Sequence, residues 1–186
     1  MMNVNKTNLI INLFKKNKKK LFLILSLLVL VLFIVLFINE KNKTKNVKTA
    51  NEFNKAIVLL SKNEKESKKI LINIIKEKNK FYSPLSLNTL IEKEIIKDKK
   101  EIIDLFNIVL SIKKISEENK NLIIFKKALF LTVNGTEADL LNSLNPIINS
   151  SSIWRNDSLN LLIEYFLYKN EKNKALQYQA LLNKKS

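Results

Sequence analysis

Residues 21–38 read LFLILSLLVLVLFIVLFI, an eighteen-residue run with one polar member, Ser26, and no charge. As a helix it covers about 27 Å, close to the roughly 30 Å hydrocarbon core of a bilayer. A single transmembrane helix from Leu21 to Ile38 is therefore predicted. It divides the chain into a basic leader (1–20), the span (21–38), a short flexible polar linker (39–46, NEKNKTKN) and one further domain (47–186). A cleaved signal sequence is the competing reading, but its apolar region is usually about 7–15 residues and small residues follow at the cut. Here the run is longer, and Ile38-Asn39-Glu40-Lys41 offers no such cut, so an uncleaved anchor is expected. Lys6, Lys15, Lys16, Lys18, Lys19 and Lys20 precede the run with no acid among them, against Lys41, Lys43, Lys45 and Lys48 beyond it. That bias puts the N-terminus on the cytoplasmic side and the large domain outside.

Composition narrows what the domain can be. Cysteine and histidine are absent, which removes disulfides, thiolate chemistry, the commonest metal ligand and the side chain best suited to acid–base work near neutrality. Gly135 is the only glycine, so no Gly-rich phosphate loop exists, and no cofactor is implied. Pro84 and Pro146 are the only prolines; so few helix breakers among abundant Leu, Ile, Lys, Glu and Asn predict an all-α domain. The net charge of +16 comes from 33 basic residues of which Arg155 alone is arginine. Lys, Asn and Ile dominate together, as in an A/T-rich genome, so compositional bias over a solvated surface competes with attraction to an anionic membrane or acidic partners. Base readers usually employ arginine, and nucleic acid is not expected as a partner.

Beyond the linker the sequence has a period. Turn-like breaks centre on Asn63, Asp98, Asn134 and Asn170, spaced 35, 36 and 36 residues apart, each between two apolar helical stretches. A repeat near 34 residues built from two antiparallel helices is the tetratricopeptide pattern. Four hairpins are predicted, at 47–61 with 65–78, 84–97 with 99–113, 117–132 with 137–148, and 152–168 with 172–184. Ser83 and Pro84 suit a helix start, Ser116 with Glu117 and Glu118 another, and Thr136 with Asp139 a capping box. Gly135 is expected to supply a left-handed turn, and Pro146 to kink or end its helix. One hairpin cannot bury its apolar face alone; a stack of four, an α-solenoid, can, and it leaves a concave surface.

Trp154 and Arg155 are each unique in the chain. Both types are enriched in binding hot spots, so a recognition spot is one reading. The other is packing, with the indole locking the fourth hairpin to the third and Arg155 pairing a nearby carboxylate; we weigh packing above recognition. Glu92 with Glu94, Asp98 with Glu101, and Glu117 with Glu118 are the close carboxylates, and they lie near turns among lysines, as caps or solvated faces do. No serine has a histidine base, so catalysis is not expected. Tyr82, Tyr165, Tyr168 and Tyr178 are candidates for a peptide groove or for the core.

The stretch Ile153-Trp154-Arg155-Asn156-Asp157-Ser158-Leu159, then Leu161-Leu162-Ile163-Glu164, Lys169-Asn170-Glu171 and Ala175, carries a resemblance. With Ala56, Phe81-Tyr82 and the 122–148 region, it is similar to the membrane-anchored tetratricopeptide-like family of the ancillary subunit of the Sec translocon, in its alphaproteobacterial form. The resemblance covers about residues 45–184, with the anchor preceding it. The family often has Gly-Asp at turns where this chain has Lys-Asn or Lys-Asp. The resemblance implies a single-pass inner-membrane protein with its domain in the periplasm. Its partners would be translocon subunits, periplasmic chaperones or exported clients. A membrane-tethered, non-catalytic interaction module is thus the expected function. An envelope scaffold in cell division or wall synthesis is the alternative, because repeat folds do not determine function. A carboxylate-only hydrolase and a lysine-based binder of anionic lipid or nucleic acid are the remaining rivals. The oligomeric state is open.

Overall fold

Little in this chain stops a helix. The computed structural model describes the backbone of residues 3–184 and the side chains of 18–20 and 22–184. Among the described residues it is all-α, with α1 (Asn3–Leu59), α2 (Glu64–Lys76), α3 (Tyr82–Glu92), α4 (Lys99–Leu110), α5 (Glu117–Asn134), α6 (Glu137–Ile148), α7 (Arg155–Tyr168) and α8 (Lys172–Asn183). The chain divides into two units, Met1–Lys48 and Thr49–Ser186.

The first unit departs from the sequence reading at 39–46. The expected flexible linker is helical, and α1 runs through leader, apolar run and linker without a break. The segment contains neither glycine nor proline, so although Asn39, Asn42, Thr44 and Asn46 are weak helix formers, no breaker stops propagation from the apolar run. Phe22 to Ile38 expose their apolar side chains, with Phe22 and Phe37 each at 72%. The helix is long and apolar enough to cross a membrane. A core helix of comparable hydropathy would be covered by protein, and this one is not. The lone polar side chain is satisfied within its own helix, as Ser26 Oγ donates to the Leu23 carbonyl at 2.9 Å. The side chain of Leu21, the expected start of the span, lies outside the described residues, as do those of Lys6, Lys15 and Lys16.

In the second unit the four sequence breaks fall between α1 and α2, α3 and α4, α5 and α6, and α7 and α8. Asn63 Oδ1 accepts from the Glu66 amide at 3.1 Å, and Asp98 Oδ1 from those of Lys100 and Glu101 at 2.7 and 3.2 Å. Each satisfies orphan donors at its helix start. Thr136 and Asp139 form the reciprocal capping box. The Thr136 hydroxyl and amide hold the Asp139 carboxyl below its usual range.

Several local expectations are corrected. Gly135 is extended (φ −119°, ψ −178°), not left-handed. A Cβ there would lie 2.6 Å from Leu131 Cδ2, so glycine leaves room for that side chain rather than supplying dihedral freedom. Among the described residues the left-handed positions are Lys78, Glu94 and Asn170. Glu94 and Ile95 close α3 onto Ile91 and Leu90, and Asn170 and Glu171 close α7 onto Leu167 and Phe166, the two-bond termination that usually takes glycine. Ser83 does not cap α3. Asn79 Oδ1 does, accepting from Phe81 and Tyr82, while the buried Ser83 hydroxyl donates to Ile74 O at 2.8 Å. Helix α3 therefore starts two residues early and ends at Glu92, leaving Ile95 and Ile96 as buried loop residues. Pro146 is tolerated two residues before the end of α6. Helix α7 begins at Arg155, not 152, and Ser116 makes no side-chain cap bond.

Two apolar cores result. The first joins Ala56 of α1 with Leu71 and Ile75 of α2, Leu87 and Leu90 of α3 and Phe106 of α4. The second joins Ala128 and Leu131 of α5 with Leu140 and Leu144 of α6, Leu162 and Phe166 of α7 and Ala175 of α8. Helix α5 is the seam, since its Ile123 belongs to the first core. Extensive packing among α2–α8 joins helices one or two places apart in chain order.

Candidate functional site

Three polar contacts each connect a helix with the one two places on or with the residues that lead into it. Lys68 on α2 meets Glu101 on α4 at 2.9 Å, and Glu137 on α6 meets Lys174 on α8 at 2.6 Å. Glu118 at the start of α5 accepts from Ser152, just before α7, at 2.7 Å. These partners are 33, 37 and 34 residues apart in sequence, close to the spacing of the breaks. Aromatic pairs repeat the pattern on the odd-numbered helices. Phe53 of α1 meets Tyr82 of α3 at 5.8 Å, and Phe125 of α5 stacks on Trp154 at 5.9 Å.

Trp154 and Arg155 sit at one joint. The indole lies flat against Phe125, tying the entry of α7 to α5. Arg155 Nε donates to Ile148 O at 3.1 Å and Nη2 to Leu181 O at 2.9 Å. Its guanidinium thus bridges the C-terminal ends of α6 and α8, where unpaired carbonyls concentrate negative potential. The expected carboxylate partner is replaced by backbone, because the two helix ends converge on the start of α7.

The carboxylates are spread over separate tasks. Asp98 caps α4, Glu101 pairs with Lys68, and Glu118 accepts from Ser152. Asp98, Glu101 and Asp104 rim an open groove between α2 and α4 floored by Ile72, Leu105 and Ile108, with Lys76 and Lys100 beside them. Lys174 lies between Glu137 and Glu171, whose hydrogen bonds hold its ammonium well above the ordinary lysine range. Burial, then the Glu137 charge, pushes the Tyr178 hydroxyl up. The tyrosines do not line one groove: Tyr178 stacks on buried Phe166, Tyr82 packs on Phe53, Tyr165 edges onto Phe166, and Tyr168 stands in solvent.

A further surface went unread in the sequence. Ile57 and Val58 on α1, Leu85 on α3, Leu129 and Val133 on α5, and Leu167 and Tyr168 on α7 are all exposed. Helices α2, α4 and α6 expose no large apolar side chain; α8, the last helix, exposes Leu176 and Leu181. Glu118 beside Ser152 and Phe125 beside Trp154 tie the residues just before α7 to the first half of α5. Pairs such as Leu129 and Val133, four apart, extend the apolar stripe of a helix, and sequence alone does not tell a covered stripe from an open one.

Compared with protein-family models, curated proteins and solved structures, the chain matches none.

Proposed function

We propose that this protein is a membrane-anchored, non-catalytic protein-interaction module, its second unit a stack of four tetratricopeptide-like hairpins. The contacts between helices two apart, at sequence separations of 33, 34 and 37, support the repeat reading. The observation that carries the interaction reading is the uneven apolar exposure. The odd-numbered helices leave large apolar side chains uncovered, and α2, α4 and α6 do not. Uncovered apolar surface concentrated on the odd-numbered helices, with α8 at the end of the stack, is what a docked helix or extended segment would bury. The apolar α1 would tether the second unit to a membrane and raise its effective concentration toward membrane partners. Through the resemblance at 153–175, the role is that of an accessory to the Sec translocon. It would sit in the inner membrane with its N-terminus in the cytoplasm and its helical unit in the periplasm, linking exported chains to periplasmic chaperones.

The test is a pull-down of the full-length chain in mild detergent, with partners identified by mass spectrometry. A chain lacking residues 1–38 and a Val133→Asp/Leu167→Asp variant serve as comparisons. Translocon subunits or periplasmic chaperones should come down with the anchored chain and be depleted in both comparisons. Division or wall-synthesis proteins in their place would replace the export role with a scaffold. A partner set indifferent to the double variant would remove the odd-helix face from the mechanism.

A further inference from the structure

Residues 15–20 read KKNKKK, and α1 passes through them without interruption. Lys18, Lys19 and Lys20 are exposed. Successive helical residues are about 100° apart, so these three ammonium groups leave the helix on three different sides. Lys15 and Lys16 lie one turn earlier, four residues before Lys19 and Lys20. The six residues rise about 9 Å in total, and the apolar run starts at the next position. The polar layer on each side of a bilayer core is about 5–7 Å deep, so with the apolar run in the hydrocarbon this collar falls at the phosphates. No acid occurs before Glu40, so no carboxylate of this flank competes for the lysines. The opposite flank is built differently. Its first charge past Ile38 is Glu40, and its lysines are spread from Lys41 to Lys48.

We propose that the lysine collar at residues 15–20 is a binding site for anionic phospholipid headgroups, which gather around α1 on the leader side of the membrane. The proposal rests on α1 crossing the bilayer. Each ammonium offers three donors to phosphodiester oxygens, and the positive charges add along one short stretch of helix. Both contributions weaken as salt screens them.

The experiment reconstitutes the full-length chain into phosphatidylcholine vesicles containing phosphatidylglycerol. Spin-labelled phosphatidylglycerol and phosphatidylcholine then report which lipid is held at the protein surface. Carbonate extraction is run first. Release of the chain overturns the spanning reading and the proposal with it. With the chain retained, the wild type should select phosphatidylglycerol, and the selectivity should fall steadily with added salt. Replacing the five lysines by Gln (Lys15→Gln through Lys20→Gln, Asn17 kept) should abolish it. Replacing them by Arg should preserve it, and the paired change Lys41→Gln/Lys43→Gln should leave most of it. Should the Gln variant fail to insert, the salt series on the wild type and the Arg variant still decide. Absent selectivity, salt-independent selectivity, or selectivity that survives the Gln replacement overturns the proposal.

Discussion

Arg155→Ala tests the joint between α6, α7 and α8. The side chain donates to Ile148 O at 3.1 Å and Leu181 O at 2.9 Å, each near the end of a different helix. Charge-assisted bonds contribute roughly 1.5–3 kcal/mol when protected, and about 1 kcal/mol each is apt here, where the group is half-buried and water competes. Opposing this, a cation at the first position of α7 meets the positive end of that helix, a penalty of about 0.5 kcal/mol that the variant relieves. Loss of the packed aliphatic stem offsets that relief. The net expectation is a destabilisation of about 2 kcal/mol, or about 6 °C in melting temperature for a unit of this size. Trp154, the single tryptophan, adjoins the joint and stacks on Phe125, so its fluorescence during urea unfolding of the detergent-solubilised chain is a local probe. Arg155→Lys should recover less than half of the loss, since one ammonium cannot hold both carbonyls in the same fork geometry. A change below about 0.5 kcal/mol for Arg155→Ala, or full recovery by Lys, refutes the bridge.

Phe166→Ala should be the more damaging core change, at about 3–5 kcal/mol, because the ring is fully buried and stacks on Tyr178 at 5.5 Å; urea titration followed by circular dichroism measures it. Gly135→Ala should cost about 1–2 kcal/mol through the collision with Leu131, although its backbone angles suit any residue; a smaller effect in thermal melts would mean that the Leu131 side chain moves aside freely. Asp139→Asn should destabilise at neutral pH and converge on the wild type in acid. The capped carboxyl titrates below its ordinary 3.8, so its contribution is present above that value and lost as pH falls through the lowered one. Melting temperatures of both chains across that range check the sign.

Much of the architecture is legible in the residues because it depends on local chemistry. The charge-free run from Leu21 to Ile38, polar only at Ser26, favours a long apolar helix. The breaks at Asn63, Asp98, Asn134 and Asn170 mark the turns because Asn and Asp serve helix ends better than helix interiors. The Thr136–Asp139 box is readable for the same reason. Local rules failed where a distant group outcompeted them. Ser83 is a good cap in isolation, but its hydroxyl is drawn to Ile74 O on the neighbouring helix, and Asn79 takes the capping role. Gly135 is a natural left-handed residue, yet the Leu131 side chain made space the scarcer quantity.

What the sequence by itself determined is the all-α class, the order of helices α2–α8 and most of their ends to within a few residues, since these follow from propensity, periodicity and caps; the break it placed at 39–46 is absent from α1. Tertiary structure alone decided which faces are covered. Leu129 and Leu131 are both apolar and two residues apart on α5, and only packing against α6 and α7 leaves the first 44% exposed and the second buried. It likewise decided that the single arginine joins two helix ends rather than a carboxylate, because the Leu181 carbonyl, 26 residues from Arg155, becomes its neighbour only when the helices stack. Burial and long-range hydrogen bonding depend on distances in space, which helical periodicity does not encode.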